Sequence, residues 1–311
     1  MSGQIVDQLD EKRLKENFSN WSVWIKTKPV RFVGDELNSL LISAQMVLAK
    51  APTTHTWGMQ IRERQESGFQ SYAFESILFK DKALLAANNS AQRYSDSGTT
   101  RLDAQTGLEK YVFAYLGAHD PYYARGNFPA FGVFIKKDAE RFPYCNATRR
   151  DLHSLEVRAD SRPFIDYFLL PEDARKFAAH EAVYLHDGDV FHYLGHLRHF
   201  GEKGYIDKRW QWLIEFHFRE RVELNYFDAI LWPVVRGASS MRSGSRPNAR
   251  LKEAVAKFAK DNTQCCTITY EITTPSRAPA QFLTAAAVAM NYYLERDRFP
   301  TCIEQDGTPK P

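Results

Sequence analysis

Four short stretches between residues 110 and 233 constrain this chain most. Lys110–Leu116 (KYVFAYL), Phe131–Ile135 (FGVFI), Trp210–Phe218 (WQWLIEFHF) and Ala229–Pro233 (AILWP) are rich in aromatic and β-branched residues and read as strands. In the third, Leu213, Glu215 and His217 fall on one face, and Ile214, Phe216 and Phe218 on the other. Around them the periodicity places an amphipathic helix over Ile5 to Phe18, a strand over Trp21 to Ile25 and a second helix over Asp35 to Lys50. A β-prone run covers Thr53 to Trp57, and a helix carries Phe74, Ile77, Leu78, Leu84 and Leu85. A further helix over 171–185 opens on Pro171, with Glu172 and Asp173 in its first turn. A His- and Gly-rich loop is expected over 186–207, and a strand (Thr267 to Thr273) and a helix (Ala280 to Leu294) near the end. The class is α+β, dominated by antiparallel or mixed sheet. We divide the chain into an extension over 1–50, a core over 51–236, and an appendage over 237–311 packed on that core.

Composition narrows the class of protein. Hydrophobic residues are 44% and charged residues 25% of 311 positions, a balance that excludes a disordered tail, a collagen-like fibre and a disulfide-stapled miniprotein. No run approaches the roughly 20 apolar residues of a membrane span, so no membrane partner is expected. The start, MSGQIVDQLDEK, lacks a secretory h-region. Cys145, Cys265, Cys266 and Cys302 show no C-x-x-C spacing, so a reducing cytoplasm is the expected location. Net charge is only +3, yet Arg242, Arg246, Arg250, Lys252, Lys257 and Lys260 face the single acid Glu253 between 237 and 260. With 14% aromatics, this basic stretch is of the kind that single-stranded nucleic acid uses.

Three places could carry chemistry. His180, His186, His192, His196 and His199 fall within twenty residues. His192 and His196 are spaced for one helical face, but Gly195 interrupts them and no H-E-x-x-H is present, so no metal is assigned. Glu215 lies between Ile214 and Phe216. Interior acids are costly unless paired or employed, and in a cleft this one could orient a sugar hydroxyl and stabilise a developing oxocarbenium ion. Periodicity by itself favours the other reading, a half-exposed strand with Glu215 and His217 on its wet side. The third place is Tyr111 to Arg125, where a strand runs into a turn dense in polar and aromatic residues.

Together these pieces carry a family resemblance. Lys110-Tyr-Val-Phe-Ala-Tyr-Leu-Gly-Ala-His-Asp-Pro-Tyr-Tyr123 resembles the Tyr-Val-Pro-Phe-Tyr-Phe-x-Pro-Arg-Ser-Pro-Met-Leu-Tyr signature of DarT-type nucleic-acid ADP-ribosyltransferases, with Tyr111, Val112, Tyr115 and Pro121 identical. Upstream, Thr54-His55-Thr56, then Phe74-Glu-Ser-Ile-Leu78, is similar to that family's His-x-Thr strand and helix. Downstream, Trp212-Leu-Ile-Glu215-Phe-His-Phe, with Val222 and Ile230, resembles the segment carrying the family's catalytic glutamate. Order and spacing agree over about residues 52–233.

The resemblance implies an ADP-ribosyltransferase-like split sheet holding NAD as co-substrate, without a metal. Glu215 would be the catalytic carboxylate, and His55, Thr56, Tyr111, Tyr115, Tyr122 and Tyr123 would cradle NAD. The family's arginine falls on His119 here, which becomes a second catalytic candidate. A neutral imidazole cannot replace a permanent guanidinium against a pyrophosphate, so either Arg125 supplies that charge or the chemistry differs. The loop before the glutamate strand would touch the acceptor through His196, Arg198, His199, Lys203, Tyr205, Arg209 and Trp210. The expected function is transfer of ADP-ribose to a nucleobase of DNA or RNA by a toxin or anti-phage defence effector, with an antitoxin as a further partner. The rival expectations are mono-ADP-ribosylation of protein side chains, a non-catalytic single-stranded nucleic-acid-binding module, and a His-metal phosphoesterase.

Overall fold

The computed structural model describes residues 4–58, 105–108, 111–118, 130–150, 162–195, 214–219, 222–235, 260, 264–272 and 278–311. Among them the chain is mixed α/β. Ten strands form one mixed sheet: β1 (Thr53–Gly58), β2 (Tyr111–Leu116), β3 (Ala130–Ile135), β4 (Cys145–Thr148), β5 (Phe168–Leu169), β6 (Glu215–Arg219), β7 (Phe227–Val235), β8 (Cys266–Ile272), β9 (Cys302–Ile303) and β10 (Pro309–Lys310). Their order is β10-β9-β8-β7-β3-β1-β2-β6-β4-β5. The β7–β8 and β8–β9 pairs are parallel and the remaining pairs antiparallel. The C-terminal strands therefore continue the central sheet.

Five α-helices flank it among the described residues: α1 (Glu11–Lys26), α2 (Gly34–Lys50), α3 (Pro171–Leu185), α4 (Val190–Gly195) and α5 (Ala278–Arg296). The expected first helix and following strand are corrected here. Ile5–Gln8 is one 3₁₀ turn, and Asp10 starts α1 by accepting a hydrogen bond from the Arg13 amide at 2.7 Å. The helix then runs through the segment expected as a strand, because Leu14, Asn17, Trp21 and Ile25 recur at helical spacing and are all buried. The loop expected over 186–207 contains α4, whose His192 amide is capped by the Asp189 carboxylate at 2.8 Å. Strands β4 and β5 were not anticipated at all; four and two residues are too short to show a period.

One feature of the pairing positions everything that follows. β1 pairs with β3 from Thr53↔Ile135 to Gly58↔Ala130, but with β2 only at Thr53↔Leu116 and Thr54↔Tyr115. β2 pairs in turn with β6 from Tyr115↔Glu215 to Tyr111↔Arg219. The sheet is thus joined by a short seam between β1 and β2.

Arg175 on α3 holds the start of β1 in place. Its Nε and Nη2 donate to the two Glu140 carboxylate oxygens at 2.7 Å each, while Nη1 donates to the carbonyls of Leu48 at 2.6 Å and Ala51 at 2.5 Å. A buried, bidentate pair whose Nη1 also meets two backbone carbonyls links the end of α2, the entry to β1 and the turn after β3. Arg175→Ala should lower the unfolding free energy by about 3–5 kcal/mol, because it strands the Glu140 charge in the interior. Denaturant titration should show this as a lower midpoint with an unchanged slope, and Arg175→Met combined with Glu140→Leu should regain most of the loss.

Candidate active site

Strand β6 lies inside the sheet, with β2 on one side and β4 on the other. The side chains of Glu215 and His217 are 3% and 0% exposed. This overturns the wet-face reading of the Trp210–Phe218 alternation. Polar residues on an alternating strand can face inward when partners are supplied there, and β4 supplies one to His217. Its Thr148 stands opposite Glu215 and its Asn146 opposite His217.

The three polar side chains form a chain across the two strands. His217 Nε2 is 3.0 Å from Glu215 Oε1, and His217 Nδ1 is 2.7 Å from Asn146 Oδ1. Phe113 meets the imidazole edge-on at 5.2 Å, and the Phe168 ring lies tilted at 5.9 Å. Side chains of directly opposed residues project to one face, so Thr54, Tyr115, Glu215 and Thr148 form one row and Phe113, His217 and Asn146 the next. Tyr115 is half-buried in the first row, while Tyr111 is buried opposite Arg219.

His55 lies at the seam. Its Nδ1 is 2.5 Å from the Phe113 carbonyl, and since a carbonyl can only accept, Nδ1 carries the proton and donates. Phe113 is also the cross-strand neighbour of His217, so β1 and β6 approach β2 at the same residue from opposite sides. The backbone of Thr56 belongs to β1, opposite Gly132. The structure therefore sets Tyr115 directly opposite Glu215 and ties His55 to the same strand β2, whereas Tyr111 stands four residues along β2, opposite Arg219. His119, Tyr122, Tyr123, Arg125, His196, Arg198, His199, Lys203, Tyr205, Arg209 and Trp210 lie outside the described residues.

The two stretches that hold those eleven residues start from one bonded point. The Ala118 amide donates to the Leu194 carbonyl at 2.8 Å, joining the end of β2 to the end of α4. Gly117, at φ +94°, permits this approach; a Cβ there would sit 2.3 Å from the Leu194 carbonyl oxygen.

The histidines on the helices have separate surroundings. His186 meets His192 edge-on at 5.7 Å and Tyr193 at 5.4 Å, and His180 stacks on Tyr184 at 6.3 Å. Among the described residues no three His, Cys, Asp or Glu side chains converge as metal ligands would. Burial pushes the Cys145 thiol up and that of Cys265 up to about 12, so neither is an activated nucleophile.

Sequence reasoning missed Asn146 and the role of His217. The signal for His217 was visible: it follows Glu215 by two residues and so shares its face. Asn146 carries no comparable mark.

A second buried cluster lies just beyond β4. Arg149 is held between Trp21 and Trp24, 4.1 Å from each ring, and its Nε is 3.7 Å from Glu181 Oε1. The Tyr193 hydroxyl donates to the other oxygen of Glu181 at 3.0 Å. Burial raises the Glu181 carboxyl to about 7 despite the pull of Arg149, and burial together with Lys26 lowers His180 to about 4.

These two shifts make opposite contributions to stability. Folded Glu181 retains a proton that the unfolded chain releases above 4.5, so its contribution is full below 4.5 and is lost as pH rises to about 7. Folded His180 lacks a proton that the unfolded chain gains below 6.5, so its contribution is present above 6.5 and is lost as pH falls to about 4. Thermal melts across this range should therefore change slope in opposite senses. Relative to the native protein, Glu181→Gln should make Tm rise more steeply with pH, and His180→Gln should make it rise less or fall.

Compared with protein-family models the chain matches none, and a comparison with curated proteins finds no relative.

Proposed function

We propose that this protein is an NAD-dependent ADP-ribosyltransferase that modifies a nucleobase of DNA or RNA, with Glu215 as its catalytic carboxylate. One observation carries the reading: three sequence pieces spread from residue 54 to residue 218 occupy the adjacent strands β1, β2 and β6. The carboxylate among them is withdrawn from water. A convergence of this kind has to be encoded at three separate places in the chain, so it supports the resemblance independently of each short motif.

The residues present suit such a co-substrate. A buried carboxylate on β6 stands directly opposite Tyr115, and the seam on the other side of β2 carries the His55 imidazole. When bound, NAD supplies an ADP-ribosyl group joined to nicotinamide by a labile glycosidic bond. Glu215 accepts a hydrogen bond from a ribose hydroxyl and sets its negative charge against the positive charge that develops on the sugar. In an interior position that field is weakly screened, and the stiff strand pairing on both sides of β6 keeps it aimed. The same carboxylate then takes the proton of the attacking base nitrogen. His55, held by the Phe113 carbonyl, lines the opposite wall of the seam. In this reading the histidine at the family's arginine position, His119, leaves Arg125 to supply the fixed positive charge.

Incubating the protein with adenylate-labelled NAD and single-stranded DNA, RNA or a protein lysate should place label on a nucleic acid. Glu215→Gln should reduce that transfer by about 10²–10³-fold while leaving the melting temperature close to native. Label on protein alone would instead favour mono-ADP-ribosylation of side chains. Nucleic-acid binding without any label, equal in Glu215→Gln, would identify a non-catalytic binding module.

A further inference from the structure

The Asn146–His217–Glu215 chain contains a choice of proton positions that geometry narrows. His217 is fully buried between Phe113 and Phe168, so its ring cannot turn to water, and both nitrogens must find partners within the protein. Asn146 Oδ1 faces Nδ1 at 2.7 Å, and an oxygen of that kind only accepts, so Nδ1 carries a proton. The proton between Nε2 and Glu215 Oε1, 3.0 Å apart, then decides the charge of the carboxyl. On Nε2 it makes an imidazolium facing a carboxylate; on Oε1 it leaves a neutral acid. Turning the Asn146 amide, so that its nitrogen donates to Nδ1, also leaves Nε2–H donating to an ionised Glu215. Two of the three arrangements thus keep Glu215 charged, and in both Nε2 holds the proton.

We propose that His217 is a positioning residue that keeps Glu215 ionised and rotationally fixed by donating from Nε2 to Oε1, with Asn146 setting the ring. This rests on the ADP-ribosyltransferase reading for its consequence in turnover, but not for its proton arrangement. The physical need is clear: a buried carboxylate with no donor is driven toward its neutral form, which cannot face a developing positive charge. An imidazole on the same strand face, two residues along, supplies that donor without a mobile surface side chain. Asn146 is required because an unsupported ring could rotate about its Cβ–Cγ bond and present carbon to the carboxylate. The three residues are held by main-chain pairing on β4 and β6, so the orientation is set before any ligand arrives.

The test combines spectroscopy with kinetics on the full chain. In protein labelled with ¹⁵N-histidine, the His217 signals, assigned by their loss in His217→Gln, should show a protonated Nε2 with a downfield proton. That proton should move upfield in Glu215→Gln, where the acceptor is neutral. An Nε2 without a proton, or a proton indifferent to Glu215→Gln, would overturn the proposal. In the transfer assay, His217→Gln and Asn146→Leu should each lower kcat by about 10–100-fold and leave the KM for NAD unchanged, the pattern of an interaction used in the transition state. Asn146→Asp, which still accepts from Nδ1, should recover much of the turnover lost in Asn146→Leu. If His217→Gln does not fold, the Asn146 pair carries the kinetic test by itself. Native-like folding of Asn146→Leu with unchanged kcat would sink the positioning role. A native protein that leaves NAD intact would refute the transferase reading, and the histidine spectrum alone would then decide the proton arrangement.

Discussion

A carboxylate removed from water must be met by a donor, and much of the central sheet is arranged around that requirement at Glu215. Its side chain is almost wholly withdrawn from solvent, and the imidazole on the same face supplies a polar partner. That imidazole in turn needs a partner for its second nitrogen, and Asn146 on β4 provides one. The pairing of β4 with β6 is therefore more than an extension of the sheet. It places a neutral amide behind a histidine behind an acid, in a line that runs across two strands instead of along one.

The other half of the site depends on a different support. β1 is bound firmly to β3 and only briefly to β2, and its entry is tied down by Arg175 through the carbonyls of Leu48 and Ala51. Helix α1, with Trp21 and Trp24 about the Arg149 guanidinium, covers the chain just past β4. Two buried cations near this region are met in different ways: Arg175 by a carboxylate and two backbone carbonyls, Arg149 by aromatic faces. Both arrangements replace lost hydration with ordered contacts.

Elements with a full period were legible from residues alone. Helix α2 begins and ends almost as its leucine spacing indicates, and the Pro171 start of α3 follows from the fixed φ of proline and the acids of the first turn. Strands β1, β2, β3 and β7 were legible for the same reason. The segment over Trp21–Ile25 misled because four of its five residues are aromatic or β-branched, a local preference that the helical spacing of Leu14, Asn17, Trp21 and Ile25 overrides. Strands β4 and β5 had no period to read, and with them went the partner of His217.

What the residues determined by themselves is the identity of the polar groups and the faces they share within each strand: Glu215 with His217, and Tyr111 with Tyr115. Local alternation sets this, since it follows from the two-residue repeat of an extended chain. What the tertiary structure decided is which strands lie side by side, and hence that Glu215 is interior, that Asn146 stands behind His217, and that His55 reaches β2 across a seam. Those outcomes depend on contacts between residues 58 to 108 positions apart, where no local pattern can specify the neighbour.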